Sequence, residues 1–540
     1  MLESVVLPEE ALDERMHRGG LAVPHVGDRP RLNKPPLIYW AQSLSAYVCT
    51  LGDPRRDAIW MYRLPSTLAA IGSVLVAWRL GLAMAARTRY RWAAWWAAAT
   101  LAISPMVVWD AHQARADQLL LLCTTLAMWA LWLIYDRVRA GERAPLWASV
   151  GLWAAIAAGV LTKGPITPMV AGLALASLVI SHPARRWWGG LRPMLGLVVL
   201  AVSITPWLLA IEGRYGLARY AEIVYDEVVV RSASAKEGHW GPPGYHLVFL
   251  AALLWPVSLV TARAAFRAGR RVVARVRQRG RVSIDPATLF LVAWILPPWI
   301  VFELVSTKLP HYPLPLYPAV ALLTARLVPG LDRLARVRGR AFLLRDPGFW
   351  LWCFIGVCLC AAPPLILVAH SASQNAAIPV VLLGISSVPV ILWVFLLVRL
   401  SRDRGGTGLR PVPVIAGGAI CLVSALALLL QFVVPRVVSV SRDVAEADAF
   451  ASVIDRESPR PVGAVGYHED SLVFWTRGRL ERLGDDAGSA WLHANPDGLL
   501  LVEDRFVDRI THPVRSLGAV SGFNYSNGRP VTVHLLELDS

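Results

Sequence analysis

The stretch YRLPSTLAAIGSVLVAWRLGLAM, residues 62–84, decides the fold class of this chain. It is predominantly apolar and long enough for a helix that crosses a membrane, which needs roughly 20 such residues. Eleven further segments have the same character, so the sequence predicts twelve spans. The others lie at about 92–112, 117–135, 146–161, 166–181, 194–211, 245–262, 286–305, 312–328, 348–370, 377–399 and 412–434.

The composition supports a polytopic membrane protein. Hydrophobic residues make up 55% of the 540 residues, mean hydropathy is +0.48, and there are 23 tryptophans, which favour membrane interfaces. The six cysteines all fall in apolar stretches without metal-ligand spacing, which indicates small apolar residues rather than a metal or disulfide framework. They are Cys49, Cys123, Cys353, Cys358, Cys360 and Cys421.

The distribution of the arginines among the loops indicates the membrane topology. A formal charge of +16 would suggest nucleic acid as the partner of a soluble protein, but here the arginines crowd alternate loops, eight of them in 263–284. The positive-inside rule makes these loops cytoplasmic. It places residues 1–61, the loop 212–244 and residues 435–540 outside, around a multi-span domain at 62–434.

The N-terminal part contains a shorter apolar run at 37–51. Its length and its polar residues Gln42, Ser43 and Ser45 predict a helix lying at the membrane interface. An exported N-terminus normally follows a span or a signal. We therefore expect a first helix ahead of this start site; the alternative is that 37–51 crosses the membrane and the N-terminus is cytoplasmic.

Residues 435–540 differ in character, because charges return and the apolar runs shorten. A helical pattern at 442–457 precedes short strand candidates, which predicts a small extracytoplasmic α/β domain. The strand candidates are PVGAVGY (461–467), SLVFW (471–475), GLLLVE (498–503) and VTVHLLEL (531–538).

Lysines are scarce. Only four of the 54 basic residues are lysines, namely Lys34, Lys163, Lys236 and Lys308, and all four fall on the predicted outer side. Arginine can dominate for coding reasons alone. However, an ammonium group is a compact charge suited to phosphate, and ionisable groups at membrane depth are usually functional. We expect a functional role above all for Lys34 and Lys308.

Other charged residues on the outer side allow two interpretations each. Asp117, preceded by Arg115 in QARADQLLLL, either favours the dipole at a helix N-terminus or acts as a base or binder. Arg63 at the mouth of the first span either snorkels to headgroups or binds phosphate. Arg231 and His239 belong to the loop 212–244, whose polar residues suit recognition.

Several other chemistries are excluded by their missing motifs. The chain has no GxxxxGK[ST] phosphate loop, no GxSxG elbow and no HExxH metal helix. Phosphate-binding groups facing outward from a membrane therefore indicate a phosphate carried on a lipid. We expect neither a metal nor a cofactor, since a single lipid-linked phosphate needs no divalent ion to neutralise it.

The ordered motifs RLNKPPLIYW, YRLPS, ARAD, LTKGP, the outer loop with E…R…H..PP.YH (ending in PPGYH, 242–246), and STKLPHYPLPLYP resemble the aminoarabinose transferase group. These are polyprenyl-phosphate-dependent, GT-C-type integral membrane glycosyltransferases, related to protein O-mannosyltransferases. The resemblance runs from about residue 2 to 330. It implies transfer of a sugar from an undecaprenyl-phosphate carrier to a lipid, glycan or protein acceptor, on the periplasmic side of a bacterial inner membrane.

The resemblance also implies roles for individual residues. Lys34 matches the lysine of the Lys-Pro-Pro turn that contacts the carrier phosphate, and Lys308 and Tyr312 match the lysine and tyrosine of a later motif. Independently of the resemblance, we expect Arg63 and Arg231 to bind the donor phosphate with Lys34 and Lys308. We likewise expect Arg115, His239 and Lys163 to bind substrate together with Tyr312.

The catalytic acids also follow from the resemblance. Asp117 corresponds to the acid of the second outer loop, and Glu3 to the Glu of an Asp-Glu pair in the first. This chain departs from the family in having Leu2 before Glu3, and Asn33 where an acidic residue usually precedes Lys-Pro-Pro.

Two alternatives stay open. The chain could be a transporter or flippase of a lipid-linked substrate, or an inactive truncated homologue. Transporters tend to show repeated halves and ionisable groups near the middle of the bilayer. This sequence shows no evident repeat and gathers its polar groups on one face, which favours a transferase.

Overall fold

The computed structural model is a helical bundle followed by a small sheet. Twenty helices are numbered in chain order below, and seven strands likewise. The structure describes residues 23, 25–26, 29–30, 32, 34–53, 56–85, 91–181, 185–226, 241–278, 284–326, 346–373, 379–402, 411–447, 460–476, 480–524 and 529–539.

The helices of the apolar region make up most of the described residues between 37 and 437. They are α1 Leu37–Thr50, α2 Ile59–Ala85, α3 Arg91–Ala102, α4 Pro105–Ala111, α5 Asp117–Arg139, α6 Leu146–Lys163, α7 Ile166–Ser181, α8 Pro193–Tyr215, α9 Leu217–Tyr225, α10 Tyr245–Leu253, α11 Ser258–Arg277, α12 Pro286–Leu304, α13 Tyr317–Ala325, α14 Pro347–Ser373, α15 Val380–Arg402, α16 Pro411–Leu428 and α17 Val434–Val437.

Every predicted span contains a helix. Within the described part of the chain, eight helices are individually long and apolar enough to cross a membrane, and α3 with α4, bent by 55°, makes a ninth. Helices α7 and α13 are apolar but shorter. The predicted fold class, a polytopic α-helical membrane protein with a small α/β C-terminal domain, is confirmed.

The predicted span 245–262 is interrupted. Helix α10 ends at Leu253 and α11 begins at Ser258, with Pro256 in the intervening turn, where it cannot donate a backbone hydrogen bond. Helix α11 then continues into the Arg-rich segment that the sequence predicts as a loop. The buried Trp255 fills the break and stacks on Trp352, whose backbone carbonyl accepts its indole N–H at 3.1 Å.

The short helix predicted at 37–51 is present as α1. At 1.5 Å per residue its 14 residues extend about 21 Å, less than the roughly 30 Å hydrocarbon thickness. It buries Ile38, Tyr39 and Gln42 against the bundle, while Leu44 and Val48 are exposed. This two-faced pattern suits a helix lying along the bundle surface.

The C-terminal sheet has the strand order β4-β3-β5-β7-β6. Its strands are β3 Val462–Val465, β4 Leu480–Leu483, β5 Leu499–Glu503, β6 Val514–Asn524 and β7 Arg529–Leu538. Strand β3 pairs in parallel with β4 and β5, whereas β7 is antiparallel to β5 and β6. The associated helices are α18 Val440–Glu446, α19 Asp470–Trp475 and α20 Gly488–Ala494, and an N-terminal pair is formed by β1 His25–Val26 and β2 Arg29–Pro30.

Three of the four predicted C-terminal strands are present, and the prediction of a strand at SLVFW is wrong. That segment is helix α19, in which Leu472, Val473 and Phe474 are buried in succession, as residues of the fully buried strands also are, so an apolar run alone does not distinguish the two. Leu472 and Val473 enter the sheet core. Phe474 packs edge-on against Tyr62 of α2 and so joins the C-terminal domain to the bundle.

Candidate active site

The centre of the candidate site is a buried ion pair between two helix ends. Helix α5 begins at Asp117 and α6 ends at Lys163, whose Nζ lies 2.7 Å from Asp117 Oδ1. The Asp117 side chain is only 4% exposed, against 27% for Lys163. About two turns further along α5, the hydroxyls of Thr124 and Thr167 lie 2.9 Å apart and connect α5 to α7.

Two further cationic or titratable groups surround the same carboxylate. Arg115 Nε lies 3.8 Å from Asp117 Oδ2, and His311 Nε2 lies 4.0 Å from Asp117 Oδ1. Arg115 Nη2 and His311 Nε2 are 3.4 Å apart. The loop before α5 is held in place by α2, where Ser66 Oγ donates to the Arg115 carbonyl at 3.0 Å.

Arg63 lies on the face of α2 that holds this loop. Arg63 precedes Ser66 and Thr67 by one helical turn, and Thr67 Oγ1 donates to the Ala111 carbonyl at 2.9 Å. The Arg63 side chain is half-buried, and among the described residues its Nε has no hydrogen-bond partner. The structure thus places Arg63 beside the Arg115 loop.

Lys34 lies immediately before α1 and is half-buried. Ile38 and Tyr39, in the first turn of α1, pack against Ala116, the residue that precedes Asp117. The start of α1 therefore lies against the start of α5, on the side of the bundle that carries the ion pair.

Lys308 belongs to a second polar group next to this centre. It is buried, and its ammonium donates to the carbonyls of Glu303 at 2.8 Å and Val305 at 2.6 Å, closing the end of α12. In this structure Lys308 thus caps a helix C-terminus, where a cation is favourable. Its role as a ligand of the donor phosphate stays a prediction.

Glu303 and His246 complete this second polar group. The sequence predicts neither of them as a site residue. Glu303 Oε2 accepts the Gly244 N–H at 3.0 Å, and Glu303 Oε1 lies 3.5 Å from His246 Nδ1. His246 Nε2 lies 3.2 Å from the Leu309 carbonyl. These contacts fasten the start of α10 to the segment after α12.

Tyr312 connects the two groups. Its ring stacks on His246 at a centroid distance of 6.5 Å and meets His311 edge-on at 5.2 Å. The structure therefore brings Arg115, Asp117 and Lys163 into direct contact. Lys308 is connected to them through the following segment, which carries His311 and Tyr312.

Three predicted site residues, Glu3, Arg231 and His239, lie outside the described residues. His311, His246 and Glu303 were missed. His311 stands within STKLPHYPLPLYP, three residues after Lys308, and His246 ends the motif PPGYH, so both motifs offered a usable signal. Glu303 ends an apolar helix and carries no local signal.

The central cluster suits an anion. Among the described residues, two cations, Arg115 and Lys163, lie beside one carboxylate, and a neutral or protonated His311 adds no negative charge. In a partly buried setting such an excess of positive charge favours an anion. Within the described parts of the chain no three His, Cys, Asp or Glu side chains are grouped to hold a metal ion.

Sequence comparisons agree with this chemistry. Residues 33–209 match the family model of dolichyl-phosphate-mannose-protein mannosyltransferases. The undecaprenyl phosphate-α-4-amino-4-deoxy-L-arabinose arabinosyl transferase of Pectobacterium atrosepticum is 26% identical over 327 residues, which cover 60% of this chain and 54% of that protein. A second such transferase of Pseudomonas fluorescens is 29% identical over 44% of this chain and 40% of that protein. The chain thus matches about half the length of these curated relatives or less.

A solved structure extends the likeness to nearly the whole chain. ArnT from Cupriavidus metallidurans bound to undecaprenyl phosphate superposes with a TM-score of 0.69 at 18% sequence identity, covering 96% of this chain and 91% of that one. The apo state of the same protein gives a TM-score of 0.65. In its fold, and over part of its sequence, the chain is therefore similar to these aminoarabinose transferases.

Proposed function

We propose that this protein transfers a sugar from a polyprenyl phosphate carrier to an acceptor at the outer face of the bacterial inner membrane. One observation carries the proposal: Asp117, Lys163 and Arg115 form a cluster at one end of the bundle, around a buried carboxylate, that is net positive among the described residues. A lipid-linked phosphate reaches such a position from the bilayer. The relatives, which are named for an undecaprenyl phosphate-linked donor, support the same donor class.

The chemistry requires stabilisation of a leaving phosphate. When the bond between the anomeric carbon and the phosphate oxygen breaks, positive charge develops on the sugar and negative charge on the phosphate. Lys163 and Arg115 would stabilise the phosphate, and Lys34, just before α1, and Arg63, on α2, would complete its binding site. Preorganised charges act strongly in a low-dielectric site because they need no reorganisation during the reaction.

The contacts of Asp117 favour a positioning role. Its Oδ1 accepts a hydrogen bond from the Lys163 ammonium, and its Oδ2 lies 3.8 Å from Arg115 Nε, so the carboxylate helps to fix where these two charges lie. Proton removal from the acceptor hydroxyl then falls to another carboxylate, for which Glu3 is the candidate given by the resemblance. The segment 303–312, fastened by Glu303 and His246, would form the wall that holds the sugar through Tyr312.

A transporter is less well supported by the geometry. The charges of the cluster lie where α5 begins and α6 ends, at a helix-end level, whereas transporter sites lie near the bilayer midplane between broken helices. A substrate that is modified at one surface does not need to cross the membrane. The transferase therefore accounts for the one-sided placement of Arg63, Arg115 and Lys163.

The test is transfer of labelled sugar in proteoliposomes that contain the full chain. The probe is undecaprenyl phosphate carrying 4-amino-4-deoxy-L-arabinose, the donor after which the relatives are named. We expect Lys163→Ala and Lys34→Ala each to lower kcat/KM by at least about 100-fold, the size of effect found for one electrostatic donor in an active site. Lys163→Arg should restore part of the loss because the charge is kept.

The control separates catalysis from folding. Arg137→Gln removes a cation from an exposed ion pair with Glu142 and should leave transfer unchanged. Normal transfer by both Lys163→Ala and Lys34→Ala would refute the proposed phosphate site. Movement of the intact labelled lipid across the bilayer, without a transferred sugar, would favour the transporter.

A further inference from the structure

Helix α11 carries two exposed rows of side chains away from the candidate active site. One row is apolar and the other is basic, and both follow the spacing of three and four residues that aligns side chains on one helical face. The apolar row contains Ala262, Phe266, Gly269 and Val273, and the basic row contains Arg267, Arg270, Arg271 and Arg277. Phe266 is 66% exposed, which is costly for an aromatic side chain in water.

A third row fixes α11 to the bundle. Ala264 and Ala268 are buried in the main core. Arg263 forms an ion pair with Asp346, which immediately precedes α14, and Thr324 Oγ1 donates to Thr261 Oγ1 at 3.1 Å near the end of α13. Helix α11 therefore lies against the ends of neighbouring helices, and its two exposed rows face away from the protein.

Exposed tryptophans mark the level at which α11 begins. Trp96 in the first half of α3 packs against Val257 and Val260, at the start of α11. Trp92 and Trp95, in the same part of α3, are 72% and 58% exposed. Exposed tryptophans of a membrane protein concentrate at the headgroup level. The start of α11 therefore lies at the headgroup level, with Phe266 and the arginines following it.

Three arginines of the basic row form no ion pair within the described parts of the protein. There, no carboxylate lies within ion-pair distance of Arg267, Arg270 or Arg271, whereas Arg263 is committed to Asp346. Arg270 lies over the Phe266 ring, with its guanidinium carbon 5.9 Å from the centroid. The apolar and basic rows are therefore directly adjacent along one side of the helix.

We infer that α11 is an interfacial helix that binds the headgroups of anionic phospholipids. Phe266 and Val273 would enter the acyl chains at the headgroup boundary, and Arg267, Arg270 and Arg271 would bind lipid phosphates above them. A guanidinium group forms paired hydrogen bonds with phosphate. A row of positive charges that continues into an exposed apolar row matches an anionic lipid surface, which presents phosphate and hydrocarbon at the corresponding depths.

The experiment measures which lipids the purified full chain retains. Dodecyl maltoside micelles that contain equal amounts of phosphatidylglycerol and phosphatidylcholine are washed, and the bound lipids are quantified by mass spectrometry. One basic residue near an anionic surface changes partitioning by about fivefold. We expect replacement of Arg267, Arg270 and Arg271 by Gln to lower the retained phosphatidylglycerol-to-phosphatidylcholine ratio by roughly tenfold or more.

Two controls accompany this variant. The triple change of the same arginines to Lys keeps the charge and should keep most of the selectivity. Removal of three arginines from the C-terminal domain, Arg505→Gln, Arg509→Gln and Arg515→Gln, should leave the ratio unchanged. A salt series on the wild-type chain needs no variant: selectivity should fall between about 0.05 and about 0.5 M NaCl as the charges are screened.

Two results would overturn the proposal. One is equal retention of both lipids by the wild-type chain, as expected if the basic row served a protein partner instead. The other is a selectivity that the Arg-to-Gln variant and high salt both leave intact.

Discussion

The buried pair of Asp117 and Lys163 gives the sharpest test of the site's energetics. Its two members are unequally exposed, 4% for the Asp117 side chain and 27% for Lys163. Removing one partner of a buried pair costs about 3–5 kcal/mol because the other charge is left uncompensated. The two single substitutions should therefore differ, since only the ammonium can recover water.

Magnitudes follow from the neighbours. In Lys163→Met the carboxylate stays buried but keeps Arg115 at 3.8 Å, so we expect a loss of about 2–3 kcal/mol, below the full range. In Asp117→Asn the Lys163 ammonium can turn to solvent, so we expect about 1 kcal/mol. The double variant should cost less than the sum, with a coupling free energy of about 1–2 kcal/mol.

The assay is equilibrium unfolding of the purified chain in mixed micelles of SDS and dodecyl maltoside. The matched control is the cycle for Arg137 and Glu142, an ion pair of 3.2 Å whose side chains are 55% and 51% exposed. That pair should show a coupling of at most about 0.5 kcal/mol, as exposed pairs do. Equal couplings for the two pairs, or a larger loss for Asp117→Asn than for Lys163→Met, would refute the reasoning.

Three further predictions concern other parts of the chain. A Cβ atom at Gly159 would overlap Thr167 Oγ1, so Gly159→Ala should lower the unfolding free energy by about 1–3 kcal/mol in the same assay. Gly151 lies in open space on the same helix, so Gly151→Ala should not destabilise the chain. Glu303→Ala removes the acceptor of the Gly244 N–H and the partner of His246, so KM for the lipid-linked donor should rise several-fold. Glu303→Gln keeps an acceptor oxygen, so its KM should stay near the wild-type value. Equal kinetics for the two variants would contradict this. Burial raises the pKa of Glu537, but hydrogen bonds from Arg460 and Arg515 and their charges outweigh it and lower the pKa below 4.5. The resulting stability is complete above about pH 4.5 and is lost as the pH falls through the lowered pKa. Glu537→Gln should therefore flatten the fall in the thermal unfolding midpoint on acidification. An unchanged slope would argue against a stabilising role for the contacts of Glu537 with Arg460 and Arg515.

The spans and most of the C-terminal strands could be predicted because burial alone determines them. A helix that crosses hydrocarbon must be apolar over its whole length, and the fully buried strands β3 and β5 are continuous apolar runs. Strand β4, with the sequence LERL, is half exposed and too polar to stand out. The sequence predicts a loop for most of helix α11, because an arginine-rich amphipathic helix lacks the apolar length by which spans are recognised.

The candidate site was predictable as a list of residues and not as a set of contacts. Arg115, Asp117 and Lys163 were selected for their charge at predicted helix ends, and the structure brings them within ion-pair distance. The contacts depend on how α5 and α6 pack, which no local pattern encodes. Glu303 was missed because its partners, Gly244 and His246, are about 60 residues away in sequence.

The most direct test of the central claim is turnover of the lipid-linked donor by the purified chain. Proteoliposomes made with a bacterial membrane lipid extract, which supplies acceptor hydroxyl groups, would receive labelled undecaprenyl phosphate-linked 4-amino-4-deoxy-L-arabinose. Release of free undecaprenyl phosphate would be measured alongside transferred sugar. We predict release by the wild-type chain and a loss of at least about 100-fold in Asp117→Asn, whose unfolding free energy changes by only about 1 kcal/mol. Equal release by Asp117→Asn and the wild-type chain would contradict the account.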